Sequence, residues 1–470
     1  MSKEITLSMV DGVRVVVPDS LELITPYVLQ EQLDWFEPEI KFLRRALKPG
    51  QKVIDIGANY GVFTLSMARA VGPTGKAWAF EPANSTANFL GKSIVANRFE
   101  HVDLQRCALS NQIGTTQFMV GQHAELNSIV RQNSGQPGTL ETVKVGTLDE
   151  RMSALAWSDI DFIKIDAEGE ELNILAGGKM FFQKNSPLVQ FEVKIEGAAD
   201  LTLIPTFTAM GYDVFQLVAG LDVLVPVSAD TKPDSYLLNM FACKPDRAEV
   251  LEQQGKLVTR FALKQKENQE EAVLEIARAN SAYAWRNAIA TFPFARSLAS
   301  QWEQAMSAQT NLDLVDALAL HAMSRDMKAP PVQRLVALMS SLARFTRIIQ
   351  SEPMYCHRAS YVRIASEAGQ RDNALDVLDQ MLQRGQQENQ FDMSQPFMPP
   401  CERFDRLGLG AQSNHWAICA MHEQFEWICS HSSFYGTEQT IKRLLFVQQL
   451  GFLGQDMQRR LNVARRRLVK

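Results

Sequence analysis

Asp166 and Glu168 stand one residue apart, directly after the apolar run Ile163-Lys164-Ile165, and Gly169 follows them. A carboxylate that ends an apolar strand faces the crevice where α/β sheets bind ligands. Lys164 has the same facing on the strand as Asp166 and is placed to pair with a carboxylate. Upstream, Val53-Ile54-Asp55-Ile56-Gly57-Ala58-Asn59-Tyr60-Gly61 reads as strand, glycine turn, helix start, with apolar residues at helical spacing from Val62 to Val71. Such glycines let backbone amides and a helix N-terminus come close to a ligand. The G-x-x-x-G spacing is not the G-x-G-x-x-G of dinucleotide binders. The next strand, Ala77-Trp78-Ala79-Phe80, ends in Glu81, an acid placed to accept hydrogen bonds from ribose hydroxyls. Loop and acid together describe a nucleoside-like cofactor. The plainer alternative is a glycine turn that joins strand to helix, followed by a surface acid.

Ile163 to Glu171 resembles the K-[IL]-D-x-E-G-x-E segment of the FkbM-type methyltransferase family. Asp55 to Gly61 is similar to that family's D-x-G-A-N-x-G, and Glu81-Pro82 to its E-P. Ala108-Leu109-Ser110, Thr147-Leu148-Asp149 and Phe191-Glu192-Val193 resemble its A-L-S, T-L-D and late strand, and the lead-in Tyr27 to Phe36 also fits. The resemblance runs from about Val13 to Phe241, and several motifs in order are more specific than any one. It implies a class I S-adenosylmethionine-dependent methyltransferase: an α/β, Rossmann-like sheet with helices on both faces. The implied reaction is mostly O-methylation of sugar or natural-product hydroxyls. S-Adenosyl-L-methionine is the implied cofactor. Asp55, Gly57, Asn59 and Gly61 would surround its amino-acid end, Glu81 its ribose and Ala108 its adenine, with Asp166 at the crevice and Cys107 a packing residue.

Methyl transfer from a sulfonium needs alignment more than acid–base help. A hydroxyl acceptor must still lose its proton, so Asp166 or Glu168 would take it or orient the hydroxyl, with Lys164 holding the site. The competing role for Glu168 is to cap the helix expected at Gly169. Glu192 is placed either to touch substrate or to neutralise Lys194 or Lys164. A divalent cation among Asp166, Glu168 and Glu192 is chemically compatible, but nothing in the spacing requires one, and no metal ligand is assigned.

The elements that position these residues follow from the pattern. Two short strands joined at Asp11-Gly12 precede a helical lead-in from Thr25 to Leu47, stopped by Pro49-Gly50. Strands are expected at 52–56, 76–80, 102–107, 160–165, 188–194, 212–218 and 236–243. Helices are expected at 61–71, 84–97, 169–177 and 200–210. That alternation implies a parallel sheet. Val120 to Leu140 is polar and glycine-rich and reads as a lid, a binding loop or a disordered segment.

The pattern changes at Lys244-Pro245. Strands vanish, and Glu249–Ala290, Ser297–Arg325, Pro331–Gln350, Tyr355–Arg384, His415–Ser430 and Thr440–Leu468 read as helices. Ala365, Gly369, Ala374, Leu378 and Leu382 weakly resemble one tetratricopeptide repeat, but an irregular helical array fits the rest. The expected division is 1–50 lead-in, 51–245 methyltransferase domain and 246–470 all-helical domain, with a cut near Lys244 giving two folding units. His415, Cys419 and His422 share a helix face with Cys429 and His431 beyond, yet no zinc-ligand spacing matches, and satisfied buried histidines are the favoured reading. Arg459, Arg460, Arg465, Arg466 and Arg467 read as a solvated basic helix end.

At 470 residues with a net charge of −5, the chain does not look like a dedicated nucleic-acid binder. Six scattered cysteines and the lack of a membrane-length apolar run or signal peptide suggest a cytoplasmic protein. The expected partners are a small-molecule or glycan acceptor, plus a protein or second copy at the helical half. The rival reading is a non-catalytic protein: a retired cofactor domain on an interaction scaffold.

Overall fold

The computed structural model describes residues 3–121, 128–129, 138–193, 195–196, 198–199, 201–227, 233–264, 269–308, 311–385 and 391–468. A hairpin, β1 (Glu4–Ser8) and β2 (Arg14–Pro18), leads into α1 (Ile24–Gln32) and α2 (Pro38–Ala46). The lead-in is thus two helices, broken between Leu33 and Glu37. Then come β3 (Lys52–Ile56), α3 (Val62–Val71), β4 (Lys76–Phe80), α4 (Asn84–Asn97) and β5 (Val102–Gln105). Next follow β6 (Ala108–Leu109), β7 (Gly114–Gly121), β8 (Ser128–Ile129), β9 (Gly138–Gly146) and α5 (Leu148–Ala154). After these come β10 (Phe162–Ile165), α6 (Glu171–Ala176), α7 (Lys179–Lys184), β11 (Leu188–Glu192), β12 (Ile195–Glu196), β13 (Ala198–Ala199) and α8 (Leu203–Ala209). The strands end with β14 (Asp213–Val218), β15 (Val223–Pro226) and β16 (Asn239–Cys243).

The main sheet runs β15-β14-β16-β11-β10-β3-β4-β5. From β11 to β5 its neighbours are parallel; β16, β14 and β15 join antiparallel. The all-parallel expectation is therefore corrected to a mixed sheet. Asp213–Pro226 is a tight hairpin, which needs no crossover helix and so forces antiparallel pairing. Val53, Phe162, Leu188 and Phe241 face α2 and α3, whereas Ile54, Ile163, Val189 and Met240 face α5 to α8. Two-sided burial explains why these strands read as continuous apolar runs.

The Val120–Leu140 stretch is in part extended strand rather than loop. Gly114–Gly121 and Gly138–Gly146 pair antiparallel over their full length in a separate four-stranded sheet, β6-β9-β7-β8. Val143 and Val145 are buried with Phe118 while Thr142 and Lys144 are exposed, so the apolar alternation is too short to stand out beside the polar, glycine-rich stretch before it. Residues 122–127 and 130–137, including Asn127, Asn133, Ser134, Gly135 and Pro137, lie outside the described residues, as does Lys194.

The helical half contains α9 (Pro245–Gln253), α10 (Arg260–Lys264), α11 (Gln269–Ala279), α12 (Trp285–Ala288), α13 (Ala299–Ala308), α14 (Leu312–Ser324), α15 (Pro331–Ser351), α16 (Tyr355–Glu367), α17 (Arg371–Gly385), α18 (Ser413–Ile428), α19 (Glu438–Gln449) and α20 (Gln455–Leu468). The single helices expected over 249–290, 297–325 and 355–384 are each divided. Gly369, at φ 76°, makes the last break, as a left-handed residue must after a helix. Val218, Leu221, Val223 and Val225 of the β14–β15 hairpin share one apolar core with Phe294, Trp302, Phe345 and Trp416.

Candidate active site

A cavity of about 480 Å³ opens over the C-terminal ends of β3, β4, β10 and β11. It is lined by Asp55, Gly57, Asn59, Glu81, Ala108, Lys164, Asp166 and Glu168, and by Cys107 and Glu192. Parallel strands direct ligands to this edge because backbone amides and helix N-termini converge there. Gly61, the remaining sequence-predicted residue, stands just behind the wall at the N-terminus of α3 with φ 88°.

The glycine turn is sterically obligatory. Gly57 has φ 81°, and a Cβ there would fall 1.7 Å from the Asp166 carbonyl oxygen. At Gly61 a Cβ would meet Leu90 Cδ1 at 2.3 Å. The Gly57 contact lets the end of β3 lie against the end of β10 and brings the two motifs to one crevice, whereas Gly61 lets α3 pack closely on α4. Glu81 ties the turn together: Oε2 accepts from the Asn59 amide at 2.8 Å and Oε1 from the Ala83 amide at 2.8 Å. Burial pushes its carboxyl up to about 7 against those two bonds. A carboxylate has further lone pairs beyond one bond per oxygen, so Glu81 keeps capacity for a hydroxyl donor.

Asp55 is buried at 1% exposure. Its Oδ2 accepts from Thr64 Oγ1 at 2.5 Å, while Oδ1 has no protein partner among the described residues. Burial raises its carboxyl above the ordinary range, opposed by Lys164 and Thr64. Lys164 sits between Asp55 and Gln190 in register and donates to Asp166 Oδ2 at 2.6 Å. Burial alone would lower its ammonium, but Asp166, Asp55 and Glu37 outweigh it and keep it charged.

Glu168 adopts φ 47° before Gly169 at 95°. The following helix starts at Glu171 rather than Gly169. Glu171 Oε1 accepts from the Ala167 and Gly169 amides at 3.1 and 3.0 Å and so braces the turn. The tight Asp166–Glu170 turn delays the helix. Carboxylate oxygens of Asp166, Glu168 and Glu192 gather within 4.8 Å of one another.

Several lining residues were not read from the sequence. Glu37 is partly buried, and desolvation raises its carboxyl. It accepts from the Trp35 indole at 2.9 Å and from Asn239 Nδ2 at 2.8 Å. Trp35 and Phe36 form an aromatic wall, and His431 and Tyr435 reach in from the helical half. Glu37 was hidden because it lies in a non-periodic linker between helices. The spacing of His431 to His415 and Cys419 suggested metal at most. Among the described residues those positions do not converge; Cys419 is buried in the apolar core.

Residues 55–214 match the methyltransferase FkbM domain, about a third of the chain. No curated protein matches the chain. Among solved structures it is similar to the methyltransferase FkbM from Methylobacillus flagellatus KT, at 15% identity over 44% of this chain and 50% of that one, TM-score 0.29. The chain thus spans half the length of that protein. It is also similar to a SAM-dependent O-methyltransferase from Thermotoga maritima, at 15% identity over 51% and 77% of the two chains, TM-score 0.26. A SAM-dependent methyltransferase from Aquifex aeolicus is 12% identical over 46% and 92%, TM-score 0.25. No helix among the described residues is long and apolar enough to cross a membrane. The stretch that matches the methyltransferase FkbM domain, residues 55–214, is followed in this chain by a large helical region.

Proposed function

We propose that the protein transfers a methyl group from S-adenosylmethionine to a hydroxyl of a neutral or cationic small molecule, a sugar or natural product. The observation that carries this is the shared cavity: Asp55 to Tyr60 of the turn, Glu81, Asp166 and Glu168 all border it. The residues fit the cofactor. The Gly57 turn leaves no room for a side chain, and the unpartnered Asp55 Oδ1 suits an ammonium. Asp55, Gly57, Asn59 and Asp166 would hold the amino-acid end, Glu81 the ribose and Ala108 the adenine. When bound, the cofactor supplies an electrophilic methyl on a sulfonium. Asp166 and Glu168 orient the acceptor hydroxyl and take its proton, and Lys164 fixes Asp166 in place.

Charge narrows the acceptor. Glu37, Asp55, Glu81, Asp166, Glu168, Glu170 and Glu192 line the cavity, with Lys164 the one lysine or arginine among the described lining residues. Such a field disfavours phosphate- or carboxylate-bearing acceptors. In this reading, 1–50 leads into a methyltransferase domain at 51–245, and 246–470 helps to position the acceptor. Calorimetry should show binding of S-adenosylmethionine and S-adenosylhomocysteine and none of nicotinamide dinucleotides. Tritium-labelled S-adenosylmethionine and a cell extract should yield a labelled product that an anion exchanger does not retain. Dinucleotide binding alone, or cofactor binding with no transfer, would defeat the reading.

A further inference from the structure

His431 follows α18, far along the chain from the methyltransferase motifs, yet it lines the same cavity as Glu37 and Asn239. Its ring lies 5.2 Å from that of Phe36 at 32°, and 5.9 Å from Tyr236 in an edge contact. Arg371 Nη1 lies 3.2 Å from His431 Nδ1. A guanidinium only donates, so Nδ1 accepts and the ring proton resides on Nε2. Burial, then the Arg371 charge, push the imidazole down to about 3, so the ring is neutral. Among the described residues Nε2 has no hydrogen-bond partner. The backbone is held as firmly: Gln32 Nε2 donates to the His431 carbonyl at 2.8 Å. Next in sequence, Ser432 Oγ and the Ser433 amide donate to buried Glu31 at 2.5 and 3.0 Å.

The position of the ring selects its ligand. Phe36 adjoins Glu37, and Glu37 is bonded to Asn239 at the start of β16, beside Glu192 on β11. That is the β10–β11–β16 side of the cavity. Glu81 and Asn59 lie on the β3–β4 side. We propose that His431 is an acceptor-binding residue supplied by the helical half, its Nε2–H donating to an oxygen of the acceptor against the Phe36 face. The proposal rests on the methyl-transfer reading above. A neutral donor beside many carboxylates suits an uncharged oxygen such as a hydroxyl or ring ether. It also gives the helical half a defined task, the completion of the acceptor wall.

The test compares wild type, H431A and H431Q as full-length proteins. S-Adenosylhomocysteine affinity is measured by calorimetry, and transfer of tritiated methyl from S-adenosylmethionine is measured across dilutions of a cell extract. H431A should bind S-adenosylhomocysteine within twofold of wild type. Its transfer at high dilution should fall at least tenfold, with partial recovery in concentrated extract, the mark of weakened acceptor binding. H431Q keeps an N–H donor and should regain part of the loss, which a collapsed fold would not. Wild-type transfer by H431A, or a loss matched by weaker S-adenosylhomocysteine binding, would overturn the assignment of His431 alone. A wild-type protein that binds cofactor and labels nothing defeats the methyl-transfer reading instead.

Discussion

The carboxylates around the cavity divide by what they touch. Glu81 braces the turn through two backbone amides, so Glu81→Ala should weaken S-adenosylhomocysteine binding by roughly 1.5–3 kcal/mol, the scale of a charge-assisted hydrogen bond. Asp166→Asn and Glu168→Gln keep shape and remove charge. They should lower turnover by roughly 10²–10⁴-fold, because a proton acceptor matters most in the transition state; Glu168→Gln should leave cofactor affinity little changed, and Asp166→Asn should weaken it by much less than it lowers turnover. Wild-type turnover in both variants would leave them as structural residues of the turn. Glu39 makes a pH prediction. It is buried on α2, its Oε2 has no partner among the described residues, and burial, then the Glu37 charge, push it up to about 8. The folded state therefore holds a proton that the unfolded chain releases near pH 4.5, the ordinary value for a glutamic acid. This group's contribution is full below that pH and is lost as pH rises through 8. Glu39→Gln should raise Tm more at pH 8.5 than at pH 5; an equal shift at both would show that Glu39 is ionised. Asp55, Glu81, Asp166 and Glu168 were legible because motifs carry them. Glu39 was not, because a carboxylate inside an apolar helix face follows no pattern that predicts burial.

At the scale of elements, the strand–turn–helix unit is what the sequence states most clearly, since glycine is demanded there by geometry. The Gly57 Cβ would strike a backbone carbonyl at 1.7 Å, whereas the Gly61 Cβ would strike the tip of a movable leucine. Both have left-handed φ. Gly57→Ala should thus cost more than Gly61→Ala, each beyond the ~1 kcal/mol expected from φ alone, with Gly57→Ala also abolishing S-adenosylhomocysteine binding. Thermal denaturation of the two variants checks the order; a milder Gly57→Ala would mean that β10 can withdraw from the turn. The β7–β9 sheet was the least legible element. Its two long strands are joined across a polar, glycine-rich stretch, and its buried face is small, Phe118, Val143 and Val145 with Ala83 and Ala108, so the period-two signal is short. The antiparallel edge of the main sheet was equally silent, because strand direction is set by connection length and not by composition.

Across the whole molecule, the α/β half and the helical half meet through buried charge as well as apolar packing. Glu31 of α1 is 1% exposed and accepts from Arg460 Nε of α20 at 2.8 Å, and Glu426 of α18 approaches the same guanidinium at 3.6 Å. Tyr27 bonds Ser433 at 2.8 Å beside it. Burial alone would raise the Glu31 carboxyl, but Arg460, Ser432 and Ser433 outweigh it and hold it below the ordinary value. The C-terminal basic run was expected to be a solvated helix end, and for Arg460 that is corrected. The run has a 3.6-residue period like any helix, and Arg460 is buried against Glu31 of α1 and Glu426 of α18, while Met457, Leu461 and Ala464 pack on α19. Composition could not distinguish it from Arg465, which stays exposed. The two arginines make a matched test. Arg460→Met leaves Glu31 buried without its counter-charge and should cost about 3–5 kcal/mol in denaturant unfolding. Arg465→Met should change stability by no more than about 0.5 kcal/mol. Adding Glu31→Gln to Arg460→Met should recover part of the loss, since the stranded charge is removed, and the deviation from additivity measures the pair. The same single variant should loosen Ser432 and Ser433, and with them the wall that His431 forms, so cofactor affinity should survive better than methyl transfer. If Arg460→Met is no more harmful than Arg465→Met, the buried pair does not join the two halves.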